Sequence, residues 1–308
     1  MTTTTTTTPS APGPAPAGSL LDKCAVFAAD IKISHTVFAL PWALLATFVA
    51  AGGMPRAVLL GLILACMVTA RTFAMGANRL LDARLDALNP RTVRRAIPSG
   101  ALSIGFYVAV LGVCGVGFIV SAAGFWFVAG NPWPAVLAVP VLAYMAGYPL
   151  MKRFTRFCHY YLGGALAMAP VCAYLAIAGS VDAAPLLMAA AVLTWTAGFD
   201  IIYACQDYAS DCETGVFSVP AKVGVGRALW VARFTHVISA AALVALGMTT
   251  PAFGVLYGVG AGCAIVLLVV EHAMVRADDL SKVNLAFFTV NGVIAVVLGT
   301  LGILDVFV

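Results

Sequence analysis

Long apolar runs broken by short charged segments fill the chain from about residue 34 onward. An α-helix rises 1.5 Å per residue, so about 20 apolar residues cross a hydrocarbon layer of about 30 Å. The runs have that length and predict about nine spans, at residues 34–52, 56–78, 101–123, 132–151, 158–179, 183–206, 227–248, 251–274 and 285–306. Membrane β-strands would instead alternate apolar and polar residues in segments of about ten. The pattern therefore predicts an all-α polytopic membrane protein. Residues 20–32 read as an interfacial lead-in, and the Thr-rich, then Pro/Ala/Gly-rich tract over 1–19 reads as a disordered tail ahead of one transmembrane domain over 20–308.

Composition agrees: 62% of residues are apolar and 10% charged, against about 45–50% apolar in soluble domains. The net charge of +4 comes from loops, leaving no basic domain for nucleic acid. Eight scattered cysteines without a CxxC pair read as small buried hydrophobes, not a disulfide or zinc framework. Basic residues cluster before the first expected span and after the second, fourth, sixth and eighth, while the opposite loops carry only Arg56. By the positive-inside rule, the N-terminus and those loops face the cytoplasm and the C-terminus lies outside, in a plasma-membrane (inner-membrane) protein of bacterial type.

Two polar clusters interrupt this pattern at matching places. Asn78, Asp82 and Asp86 lie in NRLLDARLD, and Asp200, Tyr203, Asp207 and Asp211 in DIIYACQDYASD. Their spacings put each set on one helical face at the cytoplasmic end of an even-numbered span. Each cluster precedes a Pro/Gly-containing segment, AIPSG at 96–100 and SVPAKVG at 218–224, a weak internal echo. Carboxylates at such a depth need a cation or another partner. Mg²⁺ suits them, because it takes oxygen ligands and is commonly held by a few carboxylates plus substrate phosphates. Arg94, Arg95, Lys152, Arg153 and Lys222 lie on the same membrane face and supply phosphate-binding cations. A diphosphate at the mouth of an apolar bundle points to a lipid substrate, and polyprenyl diphosphate fits.

The clusters also match a known pattern. NxxxDxxxD is present as Asn78, Asp82 and Asp86, and YxxxDxxxD within DxxYAxQDxxxD as Asp200, Tyr203, Gln206, Asp207 and Asp211. With LDALNPRTVRRAIPSG at 85–100 and YPLMKRFTRFCHYYLGGALAMAPVCAYLAIAG at 148–179, the chain resembles the UbiA superfamily of membrane prenyltransferases, in its quinone-pathway branch. The resemblance implies nine transmembrane helices around a central cavity and an Mg²⁺-dependent transfer of a polyprenyl group to a phenolic aromatic acid. It implies that Asp82, Asp86, Asp207 and Asp211 hold Mg²⁺–diphosphate and that Asn78 supports the first motif. Arg94, Lys152, Arg153 and Lys222 then neutralise the leaving group, Gln206 joins the substrate-binding set, and Arg71 binds the acceptor carboxylate. Asp200 and Tyr203 lie deeper, to orient the acceptor or to deprotonate its phenol.

The segments IKISHTVFALPWALLA at 31–46 and VNLAFFTVNG at 283–292, with the stretch around His159, resemble those of family members that prenylate a dihydroxynaphthoate, a resemblance that implies 1,4-dihydroxy-6-naphthoate as acceptor, on the way to menaquinone. The alternative 4-hydroxybenzoate, for ubiquinone, stands close behind. A haem or chlorophyll-precursor acceptor is a further reading. A secondary transporter fits less well, since transporter sites lie near the midplane at inverted repeats. His35, His159, His236 and His272 show no zinc-ligand spacing and read as packed or interfacial. Glu271 reads as a buried acid pairing with His272, Arg276 or another helix, and Phe125, Trp126, Phe127 and Trp133 as an outer interfacial belt.

Overall fold

The computed structural model describes residues 18–32 and 38–308. The tract over 1–17, His35 and the start of the first expected span lie outside the described residues. Helix α1 (Leu20–Asp30) opens with a capping box in which the Ser19 hydroxyl accepts the Asp22 N–H while the Asp22 carboxylate accepts the Ser19 N–H. Its Leu20 and Leu21 are exposed. At its other end Asp30 is pinned from three directions. It pairs with Arg79 at 3.2 Å, accepts the Tyr107 hydroxyl at 2.6 Å and accepts the Ala96 N–H at 3.0 Å.

The expected first span is shorter than its apolar run. Helix α2 (Leu40–Ala51) has 12 residues, about 18 Å. Pro41 sits in its first turn and Gly52, in the left-handed conformation at φ 60°, ends it. Among the described residues, eight longer helices have the length and apolar character to cross a membrane. They are α3 (Ala57–Leu88), α4 (Ile104–Ala129), α5 (Trp133–Met151), α6 (Cys158–Ala178), α7 (Ala183–Ala204) with its continuation, α10 (Val225–Thr249), α11 (Val255–Met274) and the last span, Val283–Asp305. No strand occurs among the described residues. Helix α3 runs ten residues past its expected end. Its 32 residues measure about 48 Å, so about three turns stand beyond a 30 Å layer, and these carry the first motif.

Helix α7 is the central column. Met188, Ala191, Val192, Ala197, Ile201 and Ile202 are all essentially inaccessible. It packs between α6 and α10 through small residues, which let backbones approach where lipid offers no hydrophobic drive. A Cβ on Gly163 of α6 would run into the Leu193 carbonyl, and one on Gly198 would run into the His236 ring. The α7 helix does not continue as one regular stripe to Asp211. A 3₁₀ turn at Cys205–Asp207 precedes α8 (Tyr208–Thr214), and α9 (Val219–Val223) follows after a short loop.

The last span begins with α12 (Val283–Leu285), then a π-helical turn at Ala286–Val290, and becomes α13 (Asn291–Asp305). Asn291 explains the turn, for its amide donates to the Ala286 carbonyl at 3.2 Å and to Glu271 at 2.8 Å, while its Oδ1 accepts the Trp195 indole N–H at 2.6 Å. Glu271 therefore pairs with Asn291, not with Arg276. All eight cysteines are free.

Candidate active site

The first motif lies on the exit turns of α3. Asp82, 1% exposed, takes Lys152 at 2.6 Å and the Asn78 amide at 3.1 Å, both on Oδ2. Its Oδ1 is buried without a hydrogen-bond partner among the described residues. One turn on, Asp86 receives Arg95 Nη1 on both oxygens, at 2.7 and 2.8 Å. Arg95 comes from the loop after α3, which begins with an Asn89 turn whose Oδ1 accepts the Arg91 N–H at 2.8 Å. That loop is anchored to α1 through Ala96 and Asp30.

The same loop reaches the second motif. Arg91 forks onto Asp207 at 2.8 and 2.6 Å, the Asn89 amide adds a third hydrogen bond at 3.0 Å, and Arg91 Nη1 donates to the Tyr203 hydroxyl at 3.1 Å. Burial pulls the Arg91 guanidinium down, but the bond to Asp207 and its charge outweigh that and hold it above its ordinary value. Asp211 accepts the Ser218 hydroxyl at 2.7 Å. Asp200, one helical turn before Tyr203, is held by His159 Nδ1 at 2.7 Å.

Two cavities meet here. A polar one of about 180 Å³ is lined by Asn78, Asp82, Asp86, Arg91, Lys152, Asp207 and Asp211 among others, so both motifs face one space. An apolar one of about 310 Å³ runs between α3, α5, α6 and α7, past Phe118, Phe125, Phe199 and Phe287. The two share Asn78, Arg95, Tyr148, Asp200 and Tyr203 as a common wall. Arg71 and Lys32 face the apolar cavity near this wall. Arg71 Nη2 donates to the Lys32 carbonyl at 3.2 Å while its buried Nε has no partner among the described residues. Burial together with Arg91, Arg79 and Arg95 pushes the Lys32 ammonium down, the mark of a surplus of positive charge.

The structure thus brings together Asn78, Asp82, Asp86, Lys152, Asp200, Tyr203, Asp207 and Asp211 at the polar cavity and places Arg71 on the adjoining one. Four sequence candidates line neither cavity. Arg94 is exposed, Arg153 is exposed and bound to the Leu81 carbonyl, and Lys222 lies over the Phe217 ring at 3.9 Å. Gln206 accepts the Asn284 amide at 3.1 Å. Arg95, also a sequence candidate, does line the polar cavity, and it is joined there by Arg91, four positions before it, and by Asn89 and His159. Phe125 is a correction to the belt reading. At 1% exposure it turns inward to line the apolar cavity, whereas Trp126, Phe127 and Trp133 are 56%, 87% and 49% exposed. Successive helical residues are rotated by about 100°, so three aromatics in a row cannot all face outward.

A model of the UbiA prenyltransferase family matches residues 39–293. The chain is 30% identical over 201 residues to the mitochondrial 4-hydroxybenzoate polyprenyltransferase of Caenorhabditis elegans, covering 65% of this chain and 55% of that one. It is 29% identical over 273 residues to the 4-hydroxybenzoate octaprenyltransferase of Pectobacterium atrosepticum, covering 86% and 88%. Thus the chain spans little more than half of the nematode relative and most of the bacterial one. Among solved structures, the apo UbiA homolog from Aeropyrum pernix K1 superposes with a TM-score of 0.79 at 27% identity, covering 88% of this chain and 98% of that one. The UbiA homolog from Archaeoglobus fulgidus bound to GPP and Mg²⁺ gives 0.71 at 18% identity, covering 92% and 100%, a likeness of fold. Since the family match runs through both aspartate motifs and every residue of the wall between the cavities, the chain belongs to the UbiA prenyltransferase family.

Proposed function

We infer that the protein transfers a polyprenyl group from a polyprenyl diphosphate to a ring carbon of a phenolic aromatic acid. The observation that carries this reading is the shared wall, where a polar cavity bearing both aspartate motifs adjoins an apolar one. A diphosphate fits the first, its chain the second, and the scissile C–O bond the junction.

The residues suit Mg²⁺. They are hard oxygen donors, and Asp82 Oδ1 is a buried carboxylate oxygen that has no hydrogen-bond partner. Asp82, Asp86, Asp207 and Asp211 would hold the ion, and the Archaeoglobus fulgidus homolog of the same fold binds Mg²⁺ together with GPP. When bound, Mg²⁺ neutralises negative charge on the leaving diphosphate. Lys152, Arg91 and Arg95, which pair with carboxylates, are placed to donate to phosphate oxygens instead. Arg94, Arg153 and Lys222, exposed outside both cavities, add to the positive field that draws the anion in. The apolar walls keep water from the allylic carbon. Arg71, with Lys32 beside it, takes the acceptor carboxylate, and Asp200 accepts the phenol proton. Tyr203, held by Arg91, orients the ring, and Gln206 steadies the second motif from behind.

The curated relatives act on 4-hydroxybenzoate, which favours that acceptor over the naphthoate to which the flanking segments tilt. An acceptor lacking a carboxylate would leave Arg71 unanswered. The distribution of basic loops supports a plasma-membrane protein with both motifs on the cytoplasmic side. The test is to give the purified protein Mg²⁺, a polyprenyl diphosphate and either 4-hydroxybenzoate or 1,4-dihydroxy-6-naphthoate, and to weigh the product. The expected outcome is a prenylated aromatic acid with diphosphate released. Absence of prenylated product from both acceptors contradicts the reading.

A further inference from the structure

Asp200 stands in the wall between the two cavities, and only one of its oxygens is engaged. His159 Nδ1 lies 2.7 Å from Oδ2, and His159 Nε2 lies 3.1 Å from the main-chain N of Val219. A main-chain N–H can only donate, so Nε2 presents its lone pair and the ring proton sits on Nδ1, directed at Asp200. The ring is 3% exposed, and rotating it would break both bonds. The first turn of α6 and the start of α9 therefore lock a carboxylate that belongs to α7. The side chain of Asp200 is 16% exposed, and Oδ1 accepts no hydrogen bond among the described residues. Tyr203, the other polar candidate on this stripe, already accepts from Arg91.

We propose that His159 is a positioning residue that fixes Asp200 with Oδ1 directed at the acceptor hydroxyl. The inference rests on the transferase reading above. In the step concerned, the phenol O–H breaks and its proton passes to Oδ1. The ring carbon ortho to the oxygen bonds to the allylic carbon while the allylic C–O bond breaks, its electron pair leaving on the diphosphate. The resulting dienone takes the proton back from Asp200 on oxygen as the ring C–H proton departs on the diphosphate, so one proton is released per turnover. His159 keeps its own proton throughout and acts by holding Oδ1 in line, the kind of placement on which reaction rates depend steeply.

The full-length protein with Mg²⁺, polyprenyl diphosphate and the acceptor that turns over in the wild type provides the test. His159→Phe should lower kcat about 100-fold while changing the KM for the diphosphate less than about threefold. Slow diphosphate release without acceptor should persist. His159→Asn places an amide N–H near the position of Nδ1 and should recover kcat to within about tenfold of wild type, whereas His159→Gln, whose amide falls near Nε2, should not. Combined with Asp200→Asn, His159→Phe should add less than about threefold to the loss. A kcat within about threefold of wild type in His159→Phe, full additivity with Asp200→Asn, or better recovery by Gln than by Asn each overturns the proposal. If His159→Phe does not fold, the order of the Asn and Gln variants decides. A wild-type protein that makes no prenylated acid fails the transferase reading itself, a result separate from active wild type with indifferent His159 variants.

Discussion

The two aspartate motifs share one spacing and differ in almost everything around it. The first stays on an unbroken helix, with Asp82 and Asp86 at 1% and 5% exposure, each against a cationic side chain. The second straddles the 3₁₀ turn after α7, is half-buried, and binds one aspartate to an arginine and the other to a serine hydroxyl. The arginine and the asparagine on Asp207 both come from the loop that continues the first motif. The second motif is thus completed by the first, and the two form one coupled unit, not a pair of independent copies. A deep carboxylate with one oxygen committed to Lys152 and Asn78 and the other orphaned contrasts with a more open one that loop residues hold in place.

This contrast ranks the variants. Asp82→Asn, which changes the deepest carboxylate, should reduce transfer about a thousandfold or more in membranes that still contain folded protein, as removing one preorganised electrostatic group from an active site commonly does. Chelating the divalent ion with EDTA should have a comparable effect, reversed by Mg²⁺. Wild-type-like turnover in Asp82→Asn breaks the comparison at its strongest point. Arg91→Gln removes the bridge between the motifs and should raise the diphosphate KM roughly 10- to 100-fold, the equivalent of one or two charge-assisted hydrogen bonds. Arg71→Ala should raise the acceptor KM about tenfold with little change in that of the diphosphate, and the reverse pattern removes its role. Ser218→Ala, which takes a neutral donor from Asp211, should cost at most about fivefold, and a loss matching that of Asp82→Asn would erase the difference between the motifs.

The chain's polytopic helical character is legible in its sequence because a membrane demands continuous apolar runs, and both motifs are legible because carboxylates repeated every four residues stand out at the end of such a run, although only the first keeps one unbroken helical face. What escapes is pairing across distance. His159 meets Asp200 over 41 positions and Arg91 meets Asp207 over 116, and neither separation leaves a periodic trace. Arg91 reads as a topology charge, although its place two residues after Asn89 and four before Arg95 is a usable signal. Arg94 and Arg95 both read as phosphate-binding cations and only Arg95 lines the cavity, because a loop gives no period by which to choose between adjacent residues. Phe125 reads as part of the outer belt for a related reason, since a helix apolar on all sides does not announce which face lines a cavity. The short α2 is hidden by an apolar run that continues past Pro41 in one direction and stops at Gly52 in the other.

The central claim is that both motifs grip one metal-bound diphosphate at the mouth of the apolar cavity. An experimental structure of the protein with Mg²⁺ and an unreactive polyprenyl thiolodiphosphate tests it most directly. The account predicts density bridging Asp82 and Asp207, with the chain running past Phe125 and Phe199. A diphosphate held by one motif alone, or a chain lying outside that cavity, contradicts it.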